Sequence, residues 1–138
     1  MKIFNKKASY DFEFLKTYEA GIALSGFEAK AVRKGDVDLS RSFAKIIGNE
    51  AFLINCSISA HDGSELDPRR SRKLLLHRSE ITEILTQIKL KKLTLVPVLM
   101  YTKGRLVKVS IALAHTKREF EKRQKVKKRD LEREMGTI

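Results

Sequence analysis

Tryptophan is absent from this 138-residue sequence, which also holds a single cysteine and two prolines. One cysteine cannot close a bridge within the chain, so a disulfide framework is excluded and a reducing cytosol is the natural compartment. Cys56 stands in the apolar run Phe52-Leu53-Ile54-Asn55-Cys56, where a small core residue is expected rather than a reactive thiol. No run approaches the length of a membrane-spanning helix; the best, residues 93–100, is eight long and includes Thr94 and Pro97. Lys2, Lys6 and Lys7 are not followed by an apolar segment, so no secretory signal is expected. A Gly-rich phosphate loop and a Gly-x-Ser-x-Gly elbow are both missing. The three histidines, His61, His77 and His115, show no metal-ligand spacing. His61-Asp62 resembles a metal-binding dipeptide, but without a second pair a polar loop is the commoner meaning, and His77 is expected to cap or flank a helix. Neither catalysis nor a metal or other cofactor is expected; a site assembled from distant residues is the remaining enzymatic alternative.

One sign of charge is missing from a long stretch. Residues 84–118 contain no Asp or Glu but eight Lys or Arg. The whole chain has 29 basic and 17 acidic residues, a net charge of +12, and the surplus is uneven. Residues 1–67 carry nine basic and ten acidic side chains, whereas residues 68–138 carry twenty and seven. Such a field attracts polyanions without specifying a fold. The length fits one domain able to bury roughly two-thirds of the surface of its unfolded chain.

The pattern along the chain is mainly β with small helices. Tyr10, Phe12 and Phe14 alternate with Asp11, Glu13 and Leu15, predicting a strand with an inward aromatic face. Ser25-Gly26-Phe27-Glu28 reads as a capping box for a short helix that puts Phe27 and Ala31 on one side and ends at Arg33-Lys34-Gly35. Gly48-Asn49 predicts a hairpin turn. After Lys73-Leu74-Leu75-Leu76, read as a buried strand, Ile81, Ile84, Leu85 and Ile88 mark a second helix. Residues 94–101 and 106–114 form a second hairpin, in which Val107, Val109, Ile111 and Leu113 oppose Leu106, Lys108, Ser110 and Ala112. Pro97 requires an edge or a bulge in its strand. Short strands with turn signals favour a closed or nearly closed antiparallel barrel. From Lys117 to Glu134 there are nine basic and five acidic residues, with only Phe120, Val126 and Leu131 apolar. That stripe is too narrow to dock on a core, so this segment is expected to be mobile when free and to fold as a helix against a polyanion.

Pro68-Arg69-Arg70-Ser71-Arg72-Lys73 packs four cations into six residues; the planar Arg fork suits phosphate. A short basic run is ordinarily a solvated loop, but the acid-free stretch and the basic tail favour an extended nucleic-acid face. An anionic membrane surface is the main competitor. It is disfavoured because the tail lacks the wide apolar face that lipid binding needs. Charge alone does not choose RNA over DNA.

Longer strings carry more information. Asn5-Lys6-Lys7-Ala8 and the run from Tyr18-Glu19-Ala20-Gly21 through Ser25-Gly26-Phe27-Glu28 to Arg33 closely resemble the opening of the SsrA-binding protein family, also called small protein B. Asp67-Pro68-Arg69-Arg70-Ser71-Arg72-Lys73-Leu74-Leu75-Leu76-His77 is similar to the family's central signature. Thr94-Leu95-Val96-Pro97, Lys122-Arg123 and Lys127-Lys128-Arg129-Asp130 also match, in collinear order. The resemblance implies an antiparallel β-barrel related to the OB-fold over residues 1–116 and a basic C-terminal tail over residues 117–138, disordered when free and helical on the ribosome. It implies a cytoplasmic, monomeric, non-catalytic partner of transfer-messenger RNA. Such a protein brings the RNA's tRNA-like domain, with elongation factor Tu, to ribosomes stalled on truncated messages, and its tail occupies the decoding centre and empty message channel.

By position, the resemblance assigns RNA binding to Asn5, Lys6, Lys7, Glu19, Arg69, Arg72, Lys73, Leu75 and Lys108. Arg69, Arg72 and Lys73 are expected on backbone phosphate and Lys108 on the outward side of its strand. Glu19 either accepts from a base or 2′-hydroxyl or forms a structural ion pair; Leu75 either packs on an unstacked base or fills the core. Ribosome contacts fall to Lys117, Arg118, Phe120, Lys122, Arg123, Lys127, Lys128 and Arg129. Thr116 stands where relatives have Gly, and Phe120 where they have His or Tyr. The chain stops soon after Glu134, where many relatives continue, so a short or trimmed tail is expected. A general RNA-binding protein without this specificity is the alternative.

Overall fold

The computed structural model describes residues 1–59, 67–118, 125, 127–129 and 131. Strand β1 (Lys2–Phe4) runs into helix α1 (Lys6–Asp11) and then β2 (Phe12–Ile22). Helix α2 (Gly26–Lys34), β3 (Val37–Asp38), β4 (Phe43–Ile47), β5 (Glu50–Ile54) and β6 (Ser57–Ile58) follow. Next come β7 (Arg72–Leu75), α3 (Arg78–Lys91), β8 (Thr94–Lys103) and β9 (Leu106–Thr116).

Two tight turns set the strand register. Gly48 and Asn49 both have positive φ (55° and 65°), the backbone of a two-residue turn that follows the strand twist; it pairs Ile47 with Glu50. Gly104 (φ 63°) helps the β8–β9 turn bring Lys103 opposite Leu106. All pairings in the large sheet are antiparallel, in the order β1-β8-β4-β5-β7-β2-β9. A further β8–β9 pairing joins the last strand back to the second, so the hydrogen bonding runs round a ring.

Pro97 breaks the register as its missing amide proton requires. Pro97 pairs with Ile111 and Leu99 with Ser110, leaving Val98 as the extra residue of a bulge. Asn5 fills the opening: its backbone N–H donates to the Val98 carbonyl at 2.8 Å, and its Nδ2 donates to the carbonyls of Pro97 (2.8 Å) and Leu39 (3.1 Å). The same side chain caps α1, Oδ1 accepting from the Ala8 N–H at 3.2 Å. That cap turns Tyr10 into helix, where it stands exposed. The alternating aromatic strand expected from Tyr10 therefore begins only at Phe12.

The interior is aliphatic. Val107, Val109, Ile111 and Leu113 of β9 point inward with Leu53, Leu74 and Met100, as the alternation predicts. Cys56 is wholly buried there, and burial pushes its thiol up to about 12, so it is a core residue and not a nucleophile. Helix α3 covers one side with Ile81 and Ile84; burial of such a side chain contributes about 1.5–3 kcal/mol. The Tyr18 hydroxyl donates to Glu83 at 2.9 Å, and Lys16 pairs with the same carboxylate, tying α3 to β2.

Helix α2 opens with the expected capping box: the Glu28 N–H donates to Ser25 Oγ (3.2 Å) and Glu28 Oε1 accepts from the Ser25 N–H (2.9 Å). It closes on Gly35 at φ 83°. Its buried side holds Glu28, Ala31 and Val32, whereas Phe27, expected on the same side as Ala31, lies exposed. Among the described residues no helix is long and apolar enough to cross a membrane.

Candidate nucleic-acid interface

Strand pairing alone builds a row across the outer surface of the ring. Tyr101 of β8 is opposite Lys108 of β9, Lys108 is opposite Gly21 of β2, and Gly21 is opposite Leu75 of β7. Leu75 is 56% exposed, so of its two expected placements the core is excluded. The reason is phase. Side chains alternate along a strand, so in β7 Arg72 and Leu74 go in while Lys73 and Leu75 go out.

Gly21 leaves a gap in the row. A Cβ built there would lie 3.3 Å from the Leu75 Cβ. The absent side chain thus helps form a cleft of about 260 Å³, whose walls include Leu24, Leu75, Arg105, Leu106 and Lys108. Arg33, at the end of α2, reaches this rim by donating from Nη2 to the Arg105 carbonyl at 3.4 Å. Arg33, Arg105, Leu106, Tyr101 and Gly21 were not singled out from the sequence. For Leu106 the signal was present, since it shares the outward face of β9 with Lys108; the other four depend on pairings between distant segments.

Glu19 lies beside the row, opposite Ser110. Its carboxylate accepts from the Tyr101 hydroxyl and stands 3.8 Å from Lys103 Nζ. The Tyr101 hydrogen bond, with Lys103 and Lys108 nearby, holds its pKa below the usual carboxylate range. Burial and then the Glu19 contact push the Tyr101 phenol up to about 12. The structural ion pair expected with Lys108 or an Arg is formed instead with Lys103, and the neutral Tyr101 phenol donates a hydrogen bond to the same carboxylate.

The signature run divides between inside and outside. Arg72 is 0% exposed: Nε and Nη2 donate to Glu28 Oε2 at 2.9 and 2.7 Å, Nη2 also to the Pro68 carbonyl at 2.8 Å, and Nη1 to the Cys56 carbonyl. Arg70 joins the same carboxylate. Burial alone would raise the Glu28 pKa, but hydrogen bonds from Arg70, the Ser25 N–H and Arg72 outweigh it and bring it to about 2. Expected on phosphate, the Arg72 guanidinium is here enclosed by protein acceptors. Arg69 and Lys73 are exposed, Lys73 standing 3.4 Å from Glu50.

Asn5, also expected on RNA, is 3% exposed, and its side chain, engaged as described above, supports α1 and the bulge. Lys6 and Lys7 are exposed on α1, but they do not join the row. The buried side of α1, Ala8, packs with Val96 and Ala114, and Ala114 is about 20 Å from Lys108 along β9. At that same end Lys117 Nζ lies 5.9 Å from the centre of the Tyr10 ring. Arg118, Lys127, Lys128 and Arg129 are exposed and have helical backbone. Phe120, Lys122 and Arg123, and the His61-Asp62 pair, lie outside the described residues. Among the described residues no group of His, Cys, Asp and Glu is placed to hold a metal.

A small antiparallel ring that carries a tyrosine, a lysine and a leucine in one cross-strand row, with Arg105 and Leu106 lining the adjoining cleft, defines a class of small β-sheet protein with a basic outer face. The chain matches the family model described as SmpB protein over residues 2–138. It is similar to the SsrA-binding protein of Mesoplasma florum, 45% identical over 133 residues that span 94% of this chain and 89% of the relative. The SsrA-binding protein of Gloeothece citriformis is 48% identical over 135 residues, spanning 95% of this chain and 87% of that one. A solved structure described as "tmRNA-SmpB: a journey to the center of the bacterial ribosome" superposes with a TM-score of 0.70 at 43% identity, covering 83% of this chain and 82% of its own. The chain belongs to the SmpB protein family.

Proposed function

We propose that this protein binds the tRNA-like domain of transfer-messenger RNA and delivers it to stalled ribosomes for trans-translation. The observation that carries this reading is the Tyr101–Lys108–Gly21–Leu75 row with its cleft. Cations beside an exposed apolar side chain suit an RNA loop, whose phosphates need charge and whose unstacked bases need a surface to lie on. Family membership and the names of the relatives supply the identity of the RNA.

In this reading the closed ring is a barrel of the OB kind, residues 1–116, and residues 117–138 form the tail. Lys108, Arg105 and Arg33 hold phosphate, Leu75 and Leu106 support a base, and Glu19 positions Tyr101 and Lys103. The tail, with Lys117, Arg118, Phe120, Lys122, Arg123, Lys127, Lys128 and Arg129, enters the decoding centre and empty message channel. Lys6 and Lys7, near the start of the tail, belong with that ribosomal end. Elongation factor Tu accompanies the complex, and the protein acts in the cytoplasm by recognition, without catalysis or cofactor.

Competition between the tRNA-like domain and unrelated tRNAs for the full chain at moderate salt tests the reading. Preference for the tRNA-like domain is expected. Equal affinity for all of them would replace it with a general RNA-binding protein.

A further inference from the structure

Leu75 is shared by two clefts. On its far side from Gly21 lies a second, larger one of about 460 Å³, formed by the β4–β5 turn, β7 and the start of α3. Its lining includes Ala51, Leu76 and Ile81 as apolar surface and Lys73 and Arg78 as cations. Leu75 therefore stands as a ridge, with Lys108 and Arg105 beyond one side and Lys73 and Arg78 beyond the other. Nothing in the sequence points to Arg78, the first residue of α3; it becomes part of a surface only because the chain turns from β7 into α3 at this point.

We infer that this second cleft is a further RNA subsite: the single strand seated against Lys108 crosses the Leu75 ridge and places its next phosphates on Arg78 and Lys73. The inference rests on the reading above and extends it. Continuity through Leu75 is one argument, because a strand lying on that side chain from the first cleft meets the second one next. Chemistry is the other. Apolar surface between two cations offers a base a face to cover and its flanking phosphates a charge each. The carboxylates nearby are accounted for. Glu80 is turned to the helix start, where it accepts from the His77 N–H at 3.0 Å, and Glu50 lies 3.4 Å from Lys73. Glu50 is thus a restraint on the site: it neutralises Lys73 until RNA competes for that cation.

Titration of the full-length protein with the tRNA-like domain of transfer-messenger RNA, over a series of salt concentrations, tests this. Arg78→Ala should weaken binding about fivefold near 0.15 M salt and lower the slope of log affinity against log salt by about one, the signature of one lost phosphate contact. Glu50→Gln should strengthen binding by freeing Lys73. Lys108→Ala, in the first cleft, is the reference. If Lys108→Ala weakens binding while Arg78→Ala and Glu50→Gln change neither affinity nor slope, the second subsite is wrong and the first reading stands. If none of the three has an effect, the outer row is not the RNA face and both fall.

Discussion

Two glutamates in this protein each meet a pair of basic or phenolic partners, and they do opposite things. Glu28 is 2% exposed and is held by Arg70, Arg72 and the Ser25 N–H. Glu19 is on the outer surface, with Tyr101 and Lys103. Around Glu28 the Arg72 guanidinium is enclosed and Arg70 covers the pair from the partly exposed side, so the charges stabilise the join between α2 and the strand that carries Leu75. Around Glu19 the contacts lie at the surface, with Lys103 69% exposed, so the same kind of contact orders side chains on the outer face. Burial, not residue type, separates the two.

Breaking the buried centre should have the largest effect. Glu28→Ala leaves the buried Arg72 without its carboxylate and should cost about 3–5 kcal/mol, measured from urea denaturation; Arg72→Ala, which leaves Glu28 paired with Arg70, should cost less, and Glu19→Ala should leave the denaturation midpoint unchanged. A Glu28→Ala midpoint as small in its shift as that of Glu19→Ala would erase the distinction. Acid sharpens it. Because the folded pKa of Glu28, about 2, lies below its ordinary 4.5, the stability it contributes is present above about pH 5 and is lost as pH falls towards 2. Glu28→Gln should flatten that part of the stability–pH curve.

On the outer side the effects belong to binding. Lys108→Ala should reduce affinity for the tRNA-like domain about fivefold near 0.15 M salt without altering stability. Glu19→Ala and Tyr101→Phe should each cost roughly threefold in affinity, and the double variant no more than either, because both remove the same hydrogen bond. Additive losses would mean that Glu19 meets the RNA itself. The smallest effect is expected from Gly21→Ala: the methyl would stand 3.3 Å from the Leu75 Cβ, so the β2–β7 pair must part by a few tenths of an ångström while the cleft narrows, and affinity falls slightly.

What was legible in the sequence depended on range. The Ser25–Glu28 box, the Gly48-Asn49 turn and the inward face of β9 are local, and the residues stated them; at Pro97 they left an edge or a bulge open, and pairing with β9 makes it a bulge. Glu28 was readable as a cap but not as the partner of Arg72, which lies 44 residues away. The basic run around Arg72 read as one charged surface because its strand phase was not carried through. With Leu74 inward, Arg72 has to be inward too. Likewise Asn5 gave no sign that Pro97, 92 residues on, would leave a carbonyl for it. The outer row was legible only in part, since Lys108 and Leu75 come together through Gly21, a residue with no side chain to advertise it.

The two register breaks fall in β2, between Phe14 and Lys16, and in β8, between Pro97 and Leu99. Both are extra residues in the partners, and β9 between them is unbroken. It is therefore the molecule's measuring rod. Lys108 sits near one end of it and Thr116, from which the basic tail departs, at the other, about 27 Å along an extended strand. Each residue inserted into or deleted from that interval would move the tail's origin by about 3 Å and reverse which way the flanking side chains face. The span between the outer row and the root of the tail is thus fixed in whole-residue steps, and neither bulge lets it slip.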